Sequence, residues 1–313
     1  MENQSTKKII VILGPTASGK SQLAIKLAKK INGEIISADS RQIYKGLNIG
    51  TEKITKKEMK GIKHHMIDIV KPQKTYTVVQ YQRAAKKILK QIFKKPPTQG
   101  RSPDQKGVGG KIPIVVGGSG FYIDALIYNY QLPAVAPQKG LRKKLQKKST
   151  EELVQMLQGL DPKRAANIDL RNRRRLVRAL EIVLKTGTPV PEIKRQSPYQ
   201  ILKIGIKKSP DQIRQLINQR LNKTLKKGLI EEVEKLHKKG LSWKRFDELG
   251  LEYRLASRYL RGLIPYSRMI EQMQKEIYHL AKRQMTWFKR DKGIHWIKTK
   301  NQARLLAKKY LLL

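Results

Sequence analysis

The chain has 313 residues, enough for a sizeable core and one or two domains. It carries 68 Lys+Arg against 24 Asp+Glu, a formal charge of +44, with 39% hydrophobic residues. It can therefore fold, and its field attracts polyanions, nucleic acid first and an anionic membrane surface second, although Lys-Lys pairs along the whole chain make part of the excess compositional. With no cysteine it has no disulfide, zinc–thiolate site or thiol nucleophile, and its five histidines show no metal-ligand spacing. No apolar run approaches the ~18 residues that span a bilayer. The polar stretch from Met1 to Thr6 lacks the apolar segment of a signal peptide, so a cytoplasmic protein without a membrane segment is expected.

Ile9-Ile-Val-Ile-Leu13 is an apolar run that reads as a buried parallel strand. Gly14-Pro-Thr-Ala-Ser-Gly-Lys20-Ser21 follows and fits G-x-x-x-x-G-K-[ST]. An amphipathic helix comes next, with Leu23, Leu27, Ala28 and Ile31 on one face. Strand, glycine loop and helix start are the context in which this motif traps a phosphate. Backbone N–H groups of the loop and helix N-terminus point at phosphate oxygens, Lys20 adds a point charge, and the Ser21 hydroxyl can hold Mg²⁺. The pattern does not say whether the anion is a nucleotide.

Gly33 is expected to end that helix, and Glu34-Ile-Ile-Ser-Ala38 reads as a second strand running into Asp39-Ser-Arg-Gln42. Ligands of open parallel sheets sit beyond the carboxyl ends of strands, which puts Asp39 beside the phosphate loop. Met66-Ile-Asp-Ile-Val70 reads as a strand stopped before Pro72, and 78–95 as a helix with Tyr81, Ala85, Ile88, Leu89 and Ile92 inward. Residues 96–111, rich in Gly, Pro and polar side chains, read as a flexible surface loop. Ile112-Pro-Ile-Val-Val116 is the next buried strand and closes at Gly117-Gly-Ser-Gly-Phe-Tyr122. An NTPase usually carries an acid at such a neighbouring strand end to organise Mg²⁺ and water. Here the strand ends in Gly-Gly-Ser, so Asp39 is the better carboxylate for the site.

From about 123 to 200 the chain is helical and basic. Gln138 to Lys148 holds Lys139, Arg142, Lys143, Lys144, Lys147 and Lys148 without an acid. Arg171-Asn-Arg-Arg-Arg-Leu-Val-Arg178 opens a helix with Leu176, Val177, Leu180, Val183 and Leu184 on its apolar face. Arg171, Arg175 and Arg178 would then share another face, either a reader of phosphate backbone or a solvated surface. Ile201–Ile206 reads as a returning strand, and 211–238 as a long helix broken at Gly228, with Ile213, Ile217, Leu221 and Leu225 inward and Arg220 flanking them. The remainder from Trp243 reads as mostly helical, with Met285-Thr-Trp-Phe288 as core packing.

These motifs, taken together, resemble the tRNA dimethylallyltransferases, also called tRNA isopentenyltransferases. The resemblance rests on Gly14–Ser21, Asp39-Ser-Arg-Gln-Ile-Tyr-Lys-Gly46, Asn48-Ile-Gly-Thr51 and His64-His-Met-Ile-Asp-Ile69. Val116-Gly-Gly-Ser-Gly-Phe-Tyr122, Asp161-Pro-Lys-Arg-Ala-Ala, Arg174-Arg-Leu-Val-Arg-Ala-Leu-Glu181 and Arg283-Gln-Met-Thr-Trp-Phe288 extend it over nearly the whole chain, in order. It implies an α/β fold with a P-loop NTPase-like, nucleoside-kinase-like parallel-sheet core (1–122 plus 200–313). A basic helical insertion (123–199) would grip the tRNA anticodon stem-loop, and helices would follow toward the C-terminus. The implied reaction moves a dimethylallyl group from dimethylallyl diphosphate to N6 of the adenosine at tRNA position 37. By the same resemblance Gly14, Pro15, Thr16, Ala17, Ser18, Gly19, Lys20 and Ser21 would bind the diphosphate, with Thr16 near its bridging oxygen, and Mg²⁺ would sit on Ser21. Asp39 would accept the N6 proton, and Arg220 would assist the departing diphosphate. Asp39, Ser40, Arg41, Gln42, Ser119, Arg142, Arg174, Arg175, Leu176, Val177 and Arg178 would touch the tRNA. A monomer is the default expectation.

Three stretches depart from the family pattern: Ser119 replaces the usual threonine, the 96–111 loop is long, and Leu249-Gly-Leu-Glu-Tyr-Arg254 is two residues longer than a common Gly-Tyr-Arg form. Three alternatives remain at this point. A small-molecule kinase of the same fold explains the loop and Asp39 and leaves the basic insertion idle. A free-adenylate isopentenyltransferase leaves it idle too. A non-catalytic RNA-binding protein explains the charge and leaves the phosphate loop without a purpose.

Overall fold

An uninterrupted apolar run is stable in a strand only when both faces are covered, and β1 (Lys8–Leu13) is buried from Ile9 to Leu13. The computed structural model describes residues 7–95 and 111–312. After β1 the chain forms α1 (Lys20–Ile31), β2 (Gly33–Ser37), α2 (Lys56–Met59), β3 (His64–His65), α3 (Val78–Phe93), β4 (Ile112–Gly117) and α4 (Gly120–Ile127). Four helices follow: α5 (Lys139–Lys147), α6 (Thr150–Leu160), α7 (Pro162–Asn167) and α8 (Arg173–Thr186). The chain returns through β5 (Gln200–Ile206), α9 (Pro210–Lys226), α10 (Leu229–Lys238), α11 (Trp243–Leu249), α12 (Leu251–Leu260), α13 (Tyr266–Phe288), β6 (Ile294–Ile297) and α14 (Lys300–Leu312). The described residues form two compact units, 7–129 with 197–312 and, separately, 130–196; the second lies inside the 123–199 span expected for the insertion.

In the first unit the strands make one parallel sheet in the order β3-β2-β4-β1-β5-β6. The chain leaves β1 toward β2 on one side, comes back to β4, then crosses to β5 on the other. The carboxyl ends of β1 and β4 therefore flank the point where the winding reverses, which is where such sheets hold ligands. One face of the sheet packs on α1 and α14 through Leu23, Leu27, Ala303 and Ala307. The other packs on α3, α4 and the end of α13 through Tyr81, Leu89, Ile123 and Phe288. A separate core joins α9 to α13 around Phe246, Tyr253 and Met273. Among the described residues no helix is long and apolar enough to cross a membrane.

Several sequence expectations shift. Asn32 (φ 53°), not Gly33, takes the left-handed cap of α1, and Gly33 opens β2. Met66–Val70 is not a strand: Met66 and Asp68 both adopt positive φ, which breaks the pleat, and pairing with β2 stops at His65. Val70 keeps only a bridge to Tyr44. β6 lies within the stretch read as mostly helical; its four residues are too few to show a period. Residues 96–110 of the expected surface loop lie outside the described residues. Its last residue, Lys111, and Lys95 both pair with the buried carboxylate of Glu34.

The second unit packs α5, α6, α7 and α8 around Leu145, Leu153, Leu157, Leu176 and Leu180. Helix α8 starts at Arg173 because Asn172 caps it, accepting the N–H of Arg175 at 3.2 Å. Arg171 therefore precedes the helix, and the expected three-arginine stripe does not form.

Candidate active site

The loop between β1 and α1 is built to leave donors unspent. Gly19 stands at φ +84° and Ala17 at φ +63°, which coil the chain tightly before α1 begins at Lys20. Helix α1 has no side-chain cap hydrogen bond and no acid in its first turn, so its N-terminal amides and dipole suit an anion. Ser18 Oγ is buried without a protein partner, and Ser21 is exposed at the helix start. Lys20 Nζ donates to the Pro15 carbonyl at 3.1 Å. Burial, and then the positive charge of Arg220, lower the Lys20 ammonium to about 8, while Asp39 and Glu52 pull it back up. An arriving anion would raise it again by favouring the charged ammonium.

Asp39 lies just past β2 because the ends of β2 and β4 approach closely. A Cβ on Gly117 would overlap the Ala38 carbonyl, and the Ser119 N–H donates to that same carbonyl at 3.3 Å. The Ser119 hydroxyl accepts the N–H of Ser40 at 3.3 Å. Asp39 Oδ1 accepts the N–H groups of Arg41 (2.8 Å) and Gln42 (3.3 Å), which closes a turn and leaves Oδ2 outside those two hydrogen bonds. Gln42 donates to the carbonyls of Thr51 and Glu52, and Arg41 to that of Glu248. The 39–42 segment is thereby tied on both sides.

Arg220 comes from α9, far along the chain, yet its Nη1 donates to Thr16 Oγ1 at 2.6 Å. Its Nε pairs with Glu52 Oε2 at 2.8 Å, and Thr224 donates to Glu52 Oε1 at 3.2 Å. Glu52 itself sits at φ +45°, and the residues before it are held by Glu232, which accepts N–H groups of Asn48, Ile49 and Gly50. Arg220 is thus an oriented guanidinium at the loop. From α13, Gln284 Oε1 accepts the Thr16 N–H at 2.8 Å. Glu252 of α12 adds a carboxyl raised by burial and lowered by Arg220. Lys20, Asp39, Thr16 and Arg220 were visible in the sequence. Glu52 and Gln284 were not singled out; Gln284 stood inside the 283–288 motif, which was its one signal.

In the second unit the arginines divide into two groups. Glu181 is fully buried and accepts Arg142 Nε and Nη2 (both 2.7 Å), Arg178 Nη1 (2.6 Å) and the Gln138 N–H (2.6 Å). Burial alone would raise its carboxyl, but these hydrogen bonds outweigh it and hold it at about 2. Arg178 also donates to the Val135 carbonyl. Leu176 and Val177 face the core of the unit, so their side chains are closed to a large ligand. Arg173 donates to the carbonyls of Gln146 and Lys148 and to Thr150 Oγ1, joining α8 to the α5–α6 turn. Arg174 and Arg175 are exposed, as are Lys139, Lys143, Lys144 and Lys147 of α5.

Fold and site define a phosphate-loop α/β protein whose free carboxylate stands after β2, while β4 ends without an acid. The sequence profile described as IPP transferase matches residues 42–291. The chain is 39% identical over 311 residues to the tRNA dimethylallyltransferase of Pelotomaculum thermopropionicum, covering 97% of this chain and 95% of that protein. It is 40% identical over 299 residues to the tRNA dimethylallyltransferase of Oceanobacillus iheyensis, covering 93% and 90%. The crystal structure of the tRNA isopentenylpyrophosphate transferase of Bacillus halodurans superposes with a TM-score of 0.69 at 32% identity, over 98% of this chain and 96% of that one. A eukaryotic dimethylallyltransferase acting on tRNA superposes with a TM-score of 0.76 at 27% identity, over 98% and 78%. The chain belongs to the IPP transferase family, and it is a transferase.

Proposed function

We propose that this protein transfers a dimethylallyl group from dimethylallyl diphosphate to N6 of the adenosine at tRNA position 37 and releases diphosphate. The observation that carries the reading is the convergence on Thr16. Arg220 is locked onto its hydroxyl by Glu52, beside Lys20 and the uncapped start of α1, with Asp39 on the neighbouring loop. Adenine N6 is a poor nucleophile, because its lone pair is delocalised into the ring. The donor carbon is allylic, so its bond to the diphosphate can lengthen ahead of attack. Stabilising charge on the leaving diphosphate is then the efficient strategy, and loop amides, Lys20 and Arg220 supply it. As the N6–carbon bond forms and the carbon–oxygen bond breaks, Asp39 Oδ2 takes the N6 proton, a contribution of ~10²–10⁴.

No group of three His, Cys, Asp or Glu among the described residues could cage a metal. The exposed Ser21 hydroxyl would be the residue to hold Mg²⁺, an ion that takes most of its ligands from substrate phosphates and water. When bound it would neutralise diphosphate charge. Arg41, Gln42 and Ser119 line the Asp39 turn where the base would enter, splayed from its stack. Arg174, Arg175 and the lysines of α5 offer exposed charge to the tRNA backbone.

One assay separates the readings. Labelled dimethylallyl diphosphate, γ-labelled ATP, free AMP and an anticodon stem-loop with adenosine at the target position are supplied together. Prenyl label moving to the stem-loop alone is the expected result. Phosphoryl label on a small molecule, or prenyl transfer to AMP and not RNA, would sink the proposal.

A further inference from the structure

Two motifs far apart in the chain, the glycine-rich 116–122 and the aromatic 283–288, meet at one side chain. Gln284 Oε1 accepts the Thr16 N–H at 2.8 Å, and its Nε2 donates to the Gly118 carbonyl at 3.1 Å. A backbone N–H can only donate and a carbonyl can only accept, so this is the one orientation of the amide that satisfies both. Gly118 is also the residue whose missing Cβ makes the room: a methyl there would overlap Gln284 Nε2. One turn further along α13, Trp287 packs in the space over Gly120 and donates from Nε1 to Asp124 at 3.1 Å, which fixes the angle at which α13 presents Gln284. The Thr16 N–H, spent on Gln284, is not among the donors left for a phosphate. Thr16 is instead held from both ends, its amide by Gln284 and its hydroxyl by Arg220.

We infer that Gln284 is a positioning residue for the transfer reaction, acting through Thr16, and that Gly118 is a glycine in order to admit it. The inference rests on the reading that Thr16 faces the donor's diphosphate. Without Gln284 the Thr16 amide would have to find water, and the loop could swing its hydroxyl off the line set by Arg220. Displacements of about 1 Å at such a site cost up to ~100-fold in rate. The chemistry would suffer while the tRNA surfaces, on other residues, would not.

The test uses the full chain with dimethylallyl diphosphate and a tRNA bearing adenosine at the target position. Gln284→Ala, Gly118→Ala, the Gly118→Ala/Gln284→Ala double variant, Thr16→Ala and Thr16→Ala/Gln284→Ala are compared for kcat, donor KM, tRNA Kd and Tm. Gly118 has no positive φ, and the methyl overlaps the flexible end of Gln284 while meeting the Gly14 carbonyl only at ordinary contact distance, so Gly118→Ala ejects that side chain without straining the backbone. It keeps the test decisive should Gln284→Ala fold poorly. Both single changes are expected to lower kcat by about 10- to 100-fold with tRNA Kd unchanged. The Gly118/Gln284 double should be no slower than either alone, and Gln284→Ala should cost less than about 3-fold once Thr16 is alanine. Wild-type kcat in Gly118→Ala, or losses at 16 and 284 that simply multiply, overturn the inference while leaving the transfer reading intact. Wild-type kcat in Thr16→Ala overturns the reading of the site and the inference with it.

Discussion

Arg220 in the sheet unit and the Arg142–Arg178 pair in the helical unit look alike in the sequence, basic residues in basic stretches. Both are bound to carboxylates, and the carboxylates differ. Glu52 is one-third exposed and takes only the Nε of Arg220, which leaves the far end of the guanidinium on Thr16 of the phosphate loop. Glu181 is fully buried and is chelated by two guanidiniums and a backbone amide, so Arg142 and Arg178 serve mainly to satisfy it. A buried acid claims its cations, because leaving a charge unpaired in the interior is costlier than losing a surface contact. Within α8, the exposed arginines with no acid partner among the described residues are Arg174 and Arg175, whereas Arg178 is committed to Glu181.

The largest effect expected from this division is at Asp39. Asp39→Asn keeps an oxygen for the Arg41 and Gln42 N–H groups but cannot take a proton, so transfer should fall by ~10²–10⁴ with tRNA Kd little changed. Loss of tRNA binding with single-turnover transfer preserved would make Asp39 a reader of RNA instead. Next comes Glu181→Gln, which strands two guanidiniums. We expect a loss on the order of 2–3 kcal/mol in urea unfolding, short of the full buried-pair value because both arginine side chains are about one-third exposed. The folded carboxyl lies at about 2, below its ordinary 4.5, so its stabilisation is complete above about 4.5 and is lost as pH falls toward 2. The variant should be flatter than wild type across that window; matching acid profiles would contradict the pairing.

Arg174→Ala/Arg175→Ala should weaken tRNA binding and make its salt slope shallower by about one to two, measured by filter binding against salt concentration. Arg178→Ala should mainly lower Tm, and the opposite pattern would erase the distinction between held and free arginines. The smallest effect is at Lys20. Its ammonium stands at about 8, so kcat/KM for the donor should fall as pH rises through that value. Lys20→Arg keeps its charge and should lose that break; a break that persists belongs to another group.

The parts of this molecule legible in the sequence are those written in local chemistry. β1 and β4 are apolar runs, β2 and β5 are short and rich in isoleucine, the phosphate loop is fixed by glycine spacing, and Asp39 follows from its place at a strand end. Residues 66–70 misled because they are a short, mostly apolar run stopped before Pro72, but two of them take left-handed φ, which composition does not record. Glu52 and Gln284 were passed over because their partners lie 168 and 268 positions away, and no local pattern marks a side chain for a distant hydrogen bond; Glu181 has a local partner in Arg178, but its second, Arg142, lies 39 positions away. Arg171 failed through a single cap, Asn172, which set where α8 could begin.

The central claim is that the 14–21 loop grips a diphosphate as a leaving group. Its most direct test is equilibrium binding of dimethylallyl diphosphate in competition with inorganic diphosphate and with ATP, in the wild type and in Lys20→Ala. Inorganic diphosphate should displace the donor competitively, Lys20→Ala should weaken both together, and ATP should not be hydrolysed. Donor binding indifferent to Lys20→Ala, with ATP turned over at the same loop, would contradict that claim.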